Sequence, residues 1–114
     1  MTIDVEVREM EGRIVIAPKG RMDGVTTDTF VEKGQQALGD ATKQYVLDLS
    51  DVPYVSSAGL RGVFVLAKAV REANGAFSLC IPEANKMVRE VFSMSGFARV
   101  MTIRGTVEEA LHRA

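Results

Sequence analysis

A disulfide framework is excluded by arithmetic. The chain carries one cysteine, Cys80, inside the apolar run "AFSLCI", and has no second thiol to pair with it. Histidine is equally scarce. His112 is the only one, so neither a Cys/His zinc site nor a Cys–His nucleophile pair can be assembled, and a histidine close to a helix C-terminus is accounted for by its contact with the helix dipole. There is no G-x-x-x-x-G-K-[ST] phosphate loop and no G-x-G-x-x-G fingerprint, the two glycine patterns that cradle nucleotide phosphates. Charge of one sign is also missing. Fourteen Lys and Arg against fifteen Asp and Glu leave a formal net charge of −1, and the basic residues are scattered, whereas nucleic-acid binding needs a concentrated basic patch. No apolar run approaches the ~20 residues that span a bilayer, and the opening "MTIDVEVREM" is strand-like and acidic, unlike a signal peptide. The expectation is a cytoplasmic protein with no catalytic centre, metal or cofactor, directed to neither nucleic acid nor membrane.

What is present suits one domain over residues 1–114. Hydrophobic residues make up 46% of the chain and charged residues 25%, values ordinary for a soluble globular fold of a size that builds its own core. "IDVEVREM" alternates in period two, and "RIVIAPKG" follows after Glu11-Gly12, a hairpin pattern. Phe30, Gly34, Ala37 and Leu38 then fall at helical spacing, with Thr26 or Thr27 available to cap the start and Gly39 placed to end it. "YVLDLS" reads as a buried strand. "AGLRGVFVLAKAVREANG" is the strongest helix, with Leu60, Val63, Phe64, Ala67 and Val70 as its inward stripe and Asn74-Gly75 as its stop. "AFSLCI" is a further buried strand, and "EANKMVREVFSMSG" a helix with Met87, Val88, Val91 and Phe92 inward. "RVMTI" fits a last strand, and "TVEEALHRA" a last helix with a capping box from Thr106 to Glu109. The fold class expected is α/β: a mixed sheet of four to five strands with an N-terminal hairpin, packed with about four α-helices.

One stretch asks for more than a fold. In "DVPYVSSAGLRG" two serines precede a helix that needs only one cap. Ser57 can serve as that cap, worth ~1 kcal/mol. A serine that follows a buried strand and opens the next helix also lies at the carboxyl edge of the sheet, where free N–H groups and the helix dipole favour an anion. A phosphate attached there would present about −1.5 to −2 charges to a docking partner. Asp23, Asp48 and Asp51 can cluster nearby, although carboxylates at loop ends are ordinarily solvated caps. On the following helix Gly62, Val65 and Ala69 fall opposite the inward stripe, flanked by Arg61 and Lys68. That strip of small apolar residues suits a partner surface.

"YVLDLSDVPYVSSAGLRGVFVLAKAVREANGAFSLC", followed by "VREVFSMSGFARVMTI" and preceded by "GRMD", resembles a STAS domain of the anti-sigma-factor antagonist type, in the right order along nearly the whole chain. The resemblance implies a partner switch. The unmodified protein binds an anti-sigma factor that is also a serine kinase and so releases a sigma factor; phosphorylation by that kinase breaks the complex, and a PP2C-type phosphatase restores it. The phosphorylated serine of the family falls on Ser57. Asp23 matches the aspartate near the acceptor loop, and Asp48 the Asp or Asn at the strand end. Two positions depart: Ser56 stands where the family has Asp, which offers a second candidate acceptor, and Ala58 where it has Ser or Thr. The partner surface expected, from the serine loop and the helix strip together, comprises Asp23, Asp51, Ser56, Ser57, Ala58, Arg61, Gly62, Val65 and Ala69. A STAS scaffold subunit of a signalling or lipid-transport complex, without phosphorylation, is the alternative.

Overall fold

The computed structural model describes residues 2–39 and 44–112. The hairpin is β1 (Asp4–Met10) and β2 (Arg13–Lys19), paired antiparallel from Asp4↔Lys19 to Met10↔Arg13. Its turn residues Glu11 and Gly12 both have positive φ, 54° and 77°, the hand that matches the twist of the flanking strands. The chain continues as α1 (Thr27–Leu38), β3 (Gln44–Asp48), α2 (Ser57–Glu72), β4 (Ala76–Cys80), α3 (Lys86–Met94), a 3₁₀ turn (Phe97–Arg99), β5 (Thr102–Arg104) and α4 (Val107–Leu111). The sheet order is β1-β2-β3-β4-β5, with β2 to β5 all parallel. Each crossover steps one strand in the same direction, and right-handed crossovers then put α1, α2 and α3 on one face. Only α4 lies on the other, over β3, β4 and β5.

The strand sequences follow from this arrangement. Ile16, Tyr45, Leu47 and Leu79 face the three helices, where they meet Phe30, Leu66, Val70, Val88 and Phe92. Their alternate neighbours Val15, Val46 and Cys80 face α4 and its Ala110 and Leu111. Strands covered on both sides are continuously apolar, which is how β3 and β4 read in the sequence. Ser78, in the middle of β4, is fully buried and donates to the Ala110 carbonyl at 3.2 Å. Burial, and then the nearby Asp48 carboxylate, push the Cys80 thiol up to about 11, so it stays protonated and packs as a small apolar side chain.

Helix faces depart from the sequence reading in two places. The inward side of α2 consists of Gly59, Gly62, Val63, Leu66, Ala67 and Val70; Leu60 is half-buried, and Phe64 is 54% exposed. The stripe is turned toward α1 because glycine, which hydropathy ignores, makes that contact. A Cβ on Gly62 would lie 2.7 Å from Thr27 Cγ2 and 3.1 Å from Val31 Cγ2. In α3, Val88 and Phe92 are buried and Val91 is half-buried, but Met87 is exposed. A nine-residue helix packed along one narrow line has no second inward row for it.

The ends of the elements also refine the expectation. Asn74 takes positive φ, and the Gly75 N–H returns to the Val70 carbonyl at 2.9 Å, closing α2 where expected. Thr26 precedes α1 but makes no side-chain cap; Asp23 holds that helix start instead. The last strand is shorter than "RVMTI" and begins later, because pairing with β4 starts only at Ser78↔Thr102. Before α4 the Thr106 hydroxyl accepts the Glu109 N–H at 3.1 Å and bonds to the Glu109 carboxylate at 3.2 Å, so the box closes through the hydroxyl. Arg113 and Ala114, the end of that stretch, lie outside the described residues.

Candidate functional site

The loop between β3 and α2 is clamped from both sides. Beyond Lys19 the chain runs on beside it: the Gly20 N–H donates to the Asp51 carbonyl at 3.1 Å, Met22 N–H to Tyr54 carbonyl at 2.9 Å, and Ser56 N–H to Met22 carbonyl at 2.9 Å. Parallel bridges Lys19↔Asp51 and Met22↔Val55 result. From the other side the Asn85 amide donates to the Val52 carbonyl at 2.9 Å. The Arg21 guanidinium lies 4.3 Å from the centroid of the Tyr54 ring, a cation–π contact that caps the outside. Val52 and Val55 are the apolar anchors, 1% and 2% exposed. Gly59 completes the clamp, because a Cβ there would sit 2.6 Å from the Met22 carbonyl oxygen, a backbone atom that cannot step aside.

This clamp divides the two serines. The bond from Ser56 N–H to Met22 holds Ser56 extended, at φ −86° and ψ 177°, so Ser56 is the N-cap and its Oγ accepts the Gly59 N–H at 3.3 Å. Ser57 becomes the first helical residue, exposed, with no hydrogen bond to its hydroxyl among the described residues. The cap role open to Ser57 in the sequence therefore belongs to Ser56. Around Ser57 the amides of Ser57 and Ala58 lie in the first turn, where no intrahelical acceptor exists, and the positive end of a sixteen-residue helix points outward.

The three aspartates do not converge. Asp23 Oδ1 accepts the N–H groups of Val25 and Thr26 at 3.0 and 3.2 Å, and Oδ2 lies 3.6 Å from Arg21 Nε. The Val25 N–H, aided by the Thr26 N–H and by Arg21, holds its carboxyl below the usual carboxylate range against partial desolvation. Asp23 thus opens α1 as an anion, and the Met22–Ser56 bond brings it beside the serine loop. Asp51 is exposed and gives only its backbone carbonyl to the clamp. Asp48 turns to the α4 face, where Ser50 donates to Oδ1 from its N–H at 3.0 Å and its Oγ at 2.5 Å, and Arg8 approaches Oδ2 at 3.9 Å. Among the described residues no three His, Cys, Asp or Glu side chains gather closely enough to hold a metal ion.

Next to Ser57 an open groove of about 670 Å³ runs between α1 and α2. Val31 and Gly62 lie at its floor, Ala58 and Val65 on the α2 side, and Asp28 and Glu32 on the α1 rim opposite Arg61. Two members of the expected exposed strip are corrected here. Gly62 is buried against Thr27, and Ala69 is half-buried against the core; Val65 remains 42% exposed. Asn85, the Arg21–Tyr54 pair and the acidic α1 rim were missed by sequence reasoning. Only the rim left a signal, since Asp28 and Glu32 are four residues apart on a helix and share a face.

Comparison with known proteins gives this geometry a family. The STAS domain model matches residues 4–110. BtrV of Bordetella bronchiseptica, described as an anti-sigma factor antagonist, is 30% identical over 102 residues, covering 90% of this chain and 86% of that protein. Among solved structures, an anti-sigma factor antagonist from Mycobacterium paratuberculosis superposes with a TM-score of 0.81 at 22% identity, covering 96% of this chain and 91% of that one. SpoIIAA matches in its unphosphorylated form, with TM-score 0.75, 22% identity and coverage of 95% and 93%. The Bacillus SpoIIAA in its phosphorylated form also matches, at 0.67, 21%, 95% and 96%. At those identities the solved structures speak for the fold alone, whereas the family model and BtrV speak for descent. The chain belongs to the STAS domain family, among its anti-sigma factor antagonists.

Proposed function

We propose that the protein is a phosphorylation-controlled partner switch with Ser57 as the acceptor. The observation that carries this reading is the division between the serines: Ser56 caps α2, while the Ser57 hydroxyl is exposed and unbonded. In the unmodified state the Ser57 region, with Asp23, Asp51, Ala58, Arg61 and Val65 and the adjoining groove, docks an anti-sigma factor that has serine kinase activity. The kinase transfers the γ-phosphoryl group of ATP. Ser57 Oγ bonds to phosphorus, the bond to the ADP oxygen breaks, and a base of the kinase takes the hydroxyl proton. The phosphate brings about −1.5 to −2 charges into a packed interface that already holds the Asp23 carboxylate. Within the domain the same charge is favoured by the helix N-terminus, so modification changes the interface rather than the fold. A loss of about 3 kcal/mol would weaken binding roughly 150-fold. A PP2C-type phosphatase reverses the step by hydrolysis, releasing inorganic phosphate and restoring the hydroxyl.

The test is phosphosite mapping after incubation with the kinase and labelled ATP. Wild type is expected to incorporate one phosphate at Ser57, and Ser57→Ala none while binding the kinase persistently. Stoichiometric labelling of Ser57→Ala would move the acceptor to Ser56 and overturn the assignment. Ser57→Asp should keep its fold and bind the kinase more weakly in calorimetry. Its effect should be partial, since a carboxylate carries less charge and fewer acceptor oxygens than phosphate.

A further inference from the structure

On the flank of α2 turned away from α1, two adjoining hollows open toward the 3₁₀ turn and β5. The first, of about 270 Å³, has walls from Phe64 and Ala67 on one side and Phe97, Val100 and Met101 on the other. The second, of about 210 Å³, lies at the starts of β4 and β5 and is closed by Gly75, Ala76 and Thr102. Ala67, Arg71, Val100 and Met101 line both. Together they reach the range of ligand clefts, about 300–1,000 Å³.

Two of the apolar wall residues face water, while Phe97 is buried and Met101 half-buried behind them. Val100 is 59% exposed, and Phe64, also mostly exposed, meets Phe97 only edge to face, at 6.4 Å between centroids. Scattered apolar residues on a surface are ordinary, but these converge on one concavity. Cations outnumber carboxylates on the rim, Lys68 and Arg71 against Glu72. Lys68 and Arg71 have no ion-pair partner among the described residues, and Glu72, one turn beyond Lys68, does not engage it. An apolar floor under two unpaired cations selects a molecule with an apolar tail and one anionic end. Both cations border the first hollow and Arg71 alone reaches the second, which gives the orientation: tail between Phe64, Phe97 and Val100, head at the rim beside Lys68 and Arg71.

We propose that this is a binding site for a small free amphiphilic carboxylate, separate from the Ser57 surface and independent of any phosphorylation. Occupancy would brace the second half of the helix whose first residue is Ser57.

Octanoate is the probe, titrated into the intact ¹⁵N-labelled chain and followed by NMR. Saturable shifts are expected at Ala67, Arg71, Val100 and Met101, with a dissociation constant on the order of 1 mM for a ligand of this size. Octanol, which lacks the charge, should bind measurably more weakly. Lys68→Gln and Arg71→Gln, both at exposed helix positions, should each weaken octanoate by up to about fivefold with the remaining amide spectrum unchanged. Shifts that fail to saturate or that map to the α1–α2 groove, equal affinity for octanol, or a folded double variant that binds like wild type would each overturn the proposal. So would binding of a short acidic peptide with one phenylalanine, such as acetyl-Asp-Glu-Phe-Asp-Glu-amide, with no binding of octanoate, which would assign the site to a protein partner.

Discussion

Where α2 meets α1 and the β2 extension, contact is made through glycine. Gly59 lets the helix approach within touching distance of the Met22 carbonyl, and Gly62 lets it settle on Thr27 and Val31. On its other flank, α2 meets the 3₁₀ turn through Phe64, whose ring touches Phe97 by an edge and otherwise faces water beside an open hollow. The first flank leaves no slack, and it is the one that fixes the serine loop. The second has slack and holds nothing at the carboxyl edge in place. A single helix thus carries a rigid flank, where shape determines the site, and a compliant flank, where side chains can be exchanged.

The sharpest challenge to that contrast is Gly59→Ala. The intruding methyl meets backbone oxygen, so the loop or the helix must shift, and we expect a loss of about 2–3 kcal/mol in chemical denaturation together with weaker kinase binding. Phe64→Ala should cost less, about 1–2 kcal/mol, from part of an apolar side chain and one aromatic edge contact. A Phe64→Ala loss equal to that of Gly59→Ala would erase the distinction between the flanks. Ser56→Ala removes the cap and should cost about 1 kcal/mol, whereas Ser57→Ala should leave the melting temperature unchanged; the reverse order would place the cap on Ser57. Val65→Glu should likewise stay within about 0.5 kcal/mol of wild type because the side chain reaches water. Its effect should appear in binding, as loss of kinase affinity from the groove, and a variant that melts and binds normally would remove this helix face from the interface.

The strands were legible because their signal is local. β1 alternates, and β3 and β4 are continuously apolar, in direct consequence of one covered face or two. The α2 face was read less well because a hydropathy pattern scores Phe64 as inward and is blind to Gly59 and Gly62, although a helix packed against another by close approach is built on its smallest residues. The two serines were distinguishable in principle only by something distant. Adjacent residues of identical chemistry can be told apart by backbone conformation, and that is imposed on Ser56 by a hydrogen bond to Met22, thirty-four positions earlier in the chain. Asn85 belongs to the same class: its bond to Val52 spans two elements and leaves no trace in the residues around either.

The strand order has a consequence for how the chain assembles as it is made. Each strand from β2 to β5 is laid down next to the one synthesised just before it, so every arrival finds its neighbour already present and no strand must be threaded between two others. Pairings therefore join segments close in sequence, which favours fast folding for a largely parallel sheet. The exception is the second face. Val15, Val46 and Cys80 wait for Ala110 and Leu111, roughly thirty residues after β4 ends. At about 5–20 residues per second of translation that face stays bare for a few seconds on every nascent chain, and in that interval Cys80 is a reachable thiol and the sheet an adhesive surface for whatever chaperone or neighbouring chain is nearby.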